Sequence, residues 1–188
     1  MLYRRFVASL KMNLSLFFVA FFGGFPVIYS YYLLSLDPEA SQLWAGLRGW
    51  VFWLWICSMC LTVLSYFYLF YMFVWGISDA YVFNWSSSEA EPWLCAVYSV
   101  FLGSAGQYVI VAMNDVRNKS KSFSLGLNVW STGFASVLLG ASAVAINGVS
   151  DVHNVLSIVA GFVVAFHHIV FDAVYWFQTF DPEYSELV

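Results

Sequence analysis

Charge is what this sequence has least of. Only 10% of its residues are Asp, Glu, Lys or Arg, against about 25% in a soluble domain. So few charges cannot coat a water-facing surface, and much of the surface must face something apolar. The seven Lys and Arg residues are scattered along the chain. That excludes the basic stripe of a nucleic-acid binder and the polybasic cluster that grips anionic headgroups. Acidic residues are absent before Asp37, which leaves Arg4, Arg5 and Lys11 as a basic flank. Such a flank suits a topology signal or an uncleaved targeting segment.

Cysteine is also scarce. Cys57, Cys60 and Cys95 all fall in apolar stretches, so no disulfide framework is expected and the redox compartment is not specified. Cys57 and Cys60 form a C-x-x-C pair. No nearby cation would lower a thiol pKa and no second pair would pass electrons on, so packing is the expected role. The chain has no nucleotide loop, no H-E-x-x-H and no G-x-S-x-G, and its histidines and serines form no triad-like set by spacing. An enzyme is not expected.

Apolar length is what the chain has in excess: 62% of it is hydrophobic and 21% aromatic. Residues 12–36, 49–78, 92–114, 122–150 and 152–171 are free of Asp, Glu, Lys and Arg. About 20 apolar residues span a bilayer as a helix. Barrel strands would alternate polar and apolar residues, and these runs do not. The expected fold is all-α: a polytopic integral membrane protein, a bundle of about five transmembrane helices in one domain over 1–188. The helices are placed near 13–35, 49–76, 92–114, 123–147 and 154–178. Pro92 is expected in the first turn of the third helix, and Pro26, after Gly23 and Gly24, to kink the first.

This count puts the N-terminus, loop 2 and loop 4 on one side, and loops 1 and 3 with the C-terminal tail on the other. The positive-inside rule does not choose an orientation, with Arg4, Arg5 and Lys11 facing Arg48, Arg117, Lys119 and Lys121. Sequons at Asn13, Asn84 and Asn118 add little, since Asn84 and Asn118 fall on opposite sides.

Small residues mark where helices approach closely in a membrane. Gly126, Gly133 and Gly140 repeat every seven residues in the fourth run, which suits a near-parallel, left-handed crossing. The third run offers Ser99, Gly103 and Gly106, and the fifth Ser157, Gly161 and Ala165. These three helices are expected to form the core. The second run has aromatic residues at both ends, Trp50, Trp53 and Trp55 against Tyr66, Tyr68, Tyr71 and Trp75. It is expected at the periphery, against lipid or a partner.

Ionisable residues inside a span are costly and mark either function or structural glue. His167, His168 and Asp172 lie in the fifth run. At about 100° per residue, His168 and Asp172 share the small-residue face and His167 points away. Gln107 and Asn128 are expected in the same half of the membrane, near loop 3. No cofactor is specified. Lipid, pigment or haem stays open, although haem between helices would need an axial ligand from elsewhere, because both histidines sit on one helix. The expected role is a non-catalytic accessory or scaffolding subunit of a larger membrane assembly, partnered by the bilayer and other subunits. The alternative is a small proton, ion or solute transporter or channel built on His168 and Asp172.

Overall fold

The computed structural model describes residues 13–44, 46–76 and 81–183. Arg4, Arg5, Lys11 and Glu186 lie outside them. Among the described residues, five helices are long and apolar enough to cross a membrane. Helix makes up 83% of the described residues, so the small sheet described below does not change the all-helical class.

Helix α1 covers Leu14–Ser35. The side chain of Asn13 caps it by accepting from the N–H of Leu16 at 3.0 Å. Although Pro26 lies inside it, α1 is continuous. Gly106 explains how the neighbouring helix accommodates this proline. A Cβ there would come within 3.2 Å of the Pro26 ring and 3.3 Å of the Val27 nitrogen.

A short 3₁₀ turn, Ala40–Trp44, leads to α2, Trp50–Tyr71, whose last turn widens into a π-helix over Met72–Gly76. Helix α3 covers Ser87–Asn118 and is longer than expected at both ends. A capping box explains the early start: the Ser86 side chain and the Glu89 carboxylate satisfy each other's backbone N–H groups. Pro92 therefore lies inside the helix rather than in its first turn. At the other end, Lys119 adopts a left-handed cap at φ 50° and the N–H of Ser120 returns to the Asp115 carbonyl. Helix α4 covers Phe123–Val144. Helix α5 begins as Asp151–Phe166, widens into a π-helix over His167–Trp176, and closes with Phe177–Thr179.

Around the bundle, α1 packs on α3, α3 on α4, α4 on α5 and α5 on α2. Helices α3 and α4 are the most enclosed. In their most apolar stretches 56% and 50% of residues are buried, against 33% for α5, 22% for α2 and 17% for α1.

The two ends of the bundle are fastened differently. At the end holding Asn13, loops 2 and 4 form a sheet in the order β2-β1-β3, from Trp85–Ser86, Tyr81–Val82 and Ile146–Asn147. Both pairings are antiparallel. The hairpin turns through Phe83 and Asn84 at φ 53° and 63°. This is the left-handed pair of a two-residue turn, easy for Asn and strained for Phe. The N–H of Asn13 joins this end by donating to the Val74 carbonyl at 2.9 Å. No strand was expected from the sequence, because the segments are two residues long and bounded by aromatic side chains.

At the opposite end charges do the fastening. Arg117 pairs with Asp37 and, at 3.9 Å, with Glu39. Asp115 is buried and accepts from the N–H and hydroxyl of Ser122 at 2.8 and 3.0 Å. Lys121 donates to the carbonyls of Phe177 and Phe180 and lies 4.0 Å from the Phe177 ring centre. Burial against these rings pulls its ammonium pKa below the ordinary value, while Asp181 and Asp115 oppose the shift. The loops thus group on two sides as the span count implies.

Candidate functional site

The centre of α5 is where polar groups meet. Residue i faces residue i+4 in an α-helix, and i+5 in a π-helix. Because His167–Trp176 is π-helical, the residue brought to Asp172 is His167 rather than His168. The Nε2 of His167 lies 3.5 Å from Asp172 Oδ1. This corrects the expected His168–Asp172 pair and the expectation that His167 points away.

His168 is buried as well, but it is engaged elsewhere. Its Nδ1 lies 2.8 Å from the Val164 carbonyl oxygen. A carbonyl only accepts, so Nδ1 carries the proton. That acceptor is the one α spacing would give to the N–H of residue 168. A side chain competing for the ladder in this way is a recognised cause of helix irregularity. The ring of His168 rests edge-on against Phe101 of α3, with centroids 5.0 Å apart.

The remaining partners come from α2. The indole N–H of Trp55 donates to Asp172 Oδ1 at 3.1 Å. The Nδ1 of His167 lies 3.0 Å from Ser58 Oγ. Helix α2 is therefore not wholly peripheral. Trp50, Trp53, Leu61, Leu64 and Phe67 face outward, while Trp55, Thr62 and Leu69 form a buried stripe at a seven-residue spacing. Above the cluster, towards loops 1 and 3, Trp44 packs on Trp55 at 4.6 Å, and the Trp176 indole donates to the Leu43 carbonyl at 2.8 Å. Tyr31 and Tyr108 share a 3.0 Å hydroxyl contact between α1 and α3. Asp172 is left 5% exposed.

Ser58, His167 and Asp172 thus stand in a contact series that no sequence spacing revealed. The serine sits inside α2, where backbone N–H groups are used by the helix and cannot form an oxyanion hole. The histidine–carboxylate contact, at 3.5 Å, is also too long for a firm orienting bond.

The two expected amides do not join the cluster. Gln107 is exposed on α3, because Ser104, Ala105 and Tyr108 take the inward positions. Asn128 is half-buried on α4, and its backbone oxygen lies 2.9 Å from Thr132 Oγ1. Polar ties that the sequence reading passed over bind α3 to α4 instead. Thr132 donates to Ser104 at 2.8 Å, and the Trp93 indole donates to Ser142 at 3.0 Å.

The packing glycines divide in the same way. A Cβ on Gly140 would lie 3.0 Å from the Gly161 carbonyl oxygen, and one on Gly161 would lie 2.9 Å from the Gly140 Cα. One on Gly133 would meet Ile169 at 2.9 Å, and one on Gly126 the Phe177 ring at 3.1 Å. All three α4 glycines therefore face α5. Gly103 does not share in this. Nothing lies within 4 Å of its Cβ position, and Ser99 is exposed beside it. The close contact on α3 is at Gly106 instead.

Cys57 and Cys60 are exposed on α2 and Cys95 is half-buried, all as free thiols. Among the described residues no group of three or more His, Cys, Asp or Glu side chains is arranged to hold a metal ion. No protein-family model, curated protein or solved structure matches the chain.

Proposed function

We propose that this chain is a multi-pass integral membrane protein that acts as a non-catalytic accessory or scaffolding subunit of a larger membrane assembly. The observation that carries the reading is the contrast between a committed interior and an uncommitted exterior. Inside, Asp172, His167, Trp55 and Ser58 are taken up by one another. Outside, α1 presents Phe18, Phe21, Phe22 and Phe25, each about half exposed. These rings already stack along the helix, Phe17 on Phe21 at 5.3 Å and Phe18 on Phe22 at 5.8 Å. Ordered side chains lose less entropy on docking, which suits a protein partner better than fluid acyl chains require.

Alkaline carbonate should leave the chain in the membrane pellet. Extraction in mild detergent should retain a fixed set of other membrane proteins. Replacing Phe18, Phe22 and Phe25 together by Ala should release them. A chain that leaves native membranes alone, as a monomer, overturns the subunit reading.

A buried carboxylate beside a histidine favours a second reading, proton or ion movement. Its test is reconstitution in liposomes with a pH-sensitive dye. Flux that disappears in Asp172→Asn at unchanged thermal stability would establish it. Absence of flux in the wild-type chain would remove it.

A further inference from the structure

A groove of about 510 Å³ opens between α1 and α3 at the charged end of the bundle. Its floor is apolar, formed by Leu33, Leu34, Val109, Ile110 and Met113, and its rim carries Asp37, Glu39 and Arg117. Along α3, Val109 to Arg117 is eight residues, or about 12 Å of depth at 1.5 Å per residue. An apolar trough that deep, ending in charges of both signs, has the polarity of a lipid lying along a span.

The rim is organised rather than merely charged. Asp37 is engaged on both oxygens, since Oδ1 accepts the Glu39 N–H at 2.9 Å and Oδ2 accepts from Arg117. It fixes the guanidinium in place. Arg117, with five N–H donors and a side chain 54% exposed, keeps donors for an incoming anion. Glu39 is 45% exposed and 3.9 Å from Arg117 Nε, too far for a firm hydrogen bond, so its carboxylate can take a cation. We propose that this groove binds a glycerophospholipid whose headgroup joins a phosphate to a primary ammonium, with Arg117 on the phosphate, Glu39 on the ammonium and an acyl chain along the floor. A primary ammonium donates hydrogen bonds to a carboxylate and a quaternary one cannot, so Glu39 confers the selectivity. The inference rests on the bilayer setting proposed above, and carbonate extraction tests that setting separately.

The test is native mass spectrometry of the delipidated full chain in detergent. It is titrated with phosphatidylethanolamine, phosphatidylcholine or phosphatidylglycerol carrying identical acyl chains. Phosphatidylethanolamine should bind about two- to fivefold more tightly than the others, the worth of one solvent-exposed ion pair. Glu39→Gln should erase that preference while a lipid still binds. Arg117→Gln should weaken all three lipids, with a thermal melt confirming that the fold is retained. Acyl-free glycerophosphoethanolamine at equal concentration should not displace the lipid. Equal retention of the three lipids by the wild-type chain, a preference unmoved in Glu39→Gln, or displacement by the acyl-free headgroup would each overturn the proposal.

Discussion

Helix α5 has two working faces, and they hold their neighbours by different means. Towards α4 it offers Gly161, and backbones touch at Gly140. Towards α2 it offers His167 and Asp172, and large side chains meet: Trp55, Ser58 and the aromatic cover above them. The first face works by removing side chains so that dispersion acts between main chains. The second works by filling space and by pairing Asp172 and His167 with Trp55 and Ser58, although the Thr62 hydroxyl on the same buried stripe of α2 has no hydrogen-bond partner. The first is intolerant of volume and the second of lost partners.

The sharpest way to break this comparison is to add volume at the glycine seam. Gly140→Leu drives a side chain into the Gly161 carbonyl and should cost about 3 kcal/mol, at the upper end for overpacking. Val137→Leu, on the exposed side of the same helix, should stay within about 0.5 kcal/mol. Thermal unfolding in detergent measures both, and equal tolerance would remove the seam.

Partner loss at the second face should have the next largest effect. Asp172→Leu leaves the Trp55 indole without its acceptor and removes the weaker His167 contact, at about 2 kcal/mol. Asp172→Asn keeps an oxygen for Trp55 and should cost about half as much, near 1 kcal/mol. The same melts give the ratio. Asn as damaging as Leu would mean that the charge itself holds the helices.

A smaller measurement asks which histidine belongs to Asp172. A double-mutant cycle between His167 and Asp172 should give a coupling of about 0.6 kcal/mol, the usual size inside membranes. The cycle between His168 and Asp172 should be near zero. The α register requires the reverse, so the two cycles together test the π-helical segment itself.

The smallest effect is expected at Gly103. Gly103→Leu should shift stability by no more than about 0.5 kcal/mol, because no atom lies near its Cβ position. A large loss there would place an unseen neighbour on that side of α3.

These positions also mark how far the sequence could be read. The five helices were legible because charge-free length is a direct consequence of the solvent they suit. The α4 glycines were legible because their spacing repeats every seven residues. Gly103 was misread because Gly103 and Gly106 look alike in sequence. Only the placement of α1, at Pro26, against α3 decides that residue 106 faces a neighbour. Gln107 followed the same error to the outside of the helix. The histidine assignment failed for a different reason. Face arithmetic assumes 3.6 residues per turn, and the π segment changes the count just where the polar residues lie. The packing carries a trace of this: Gly126 and Gly140 are fourteen residues apart, while their α5 contacts, Phe177 and Gly161, are sixteen apart. The part played by α2 was partly visible. Its aromatic ends drew attention outward, yet Trp55, Thr62 and Leu69 carry a heptad spacing that a stripe search would have found.

The unlike fastenings at the two ends of the bundle carry a consequence for its surroundings. Backbone hydrogen bonds in the three-stranded sheet are indifferent to dissolved ions. Arg117 and Glu39 are about half exposed and Asp37 is 11% exposed, so salt, which shortens the Debye length from about 8 Å at physiological ionic strength to about 3 Å at molar concentration, weakens the Glu39 contact more than the Asp37 one. In the membrane-spanning setting proposed above, a bilayer separates two solutions and only one of them would bathe these charges. Raising ionic strength in that compartment alone loosens loop 1 from α3 and leaves the opposite end unchanged. Sided addition of salt to oriented vesicles should therefore act on one end of the bundle alone and reveal which solution the charged end meets.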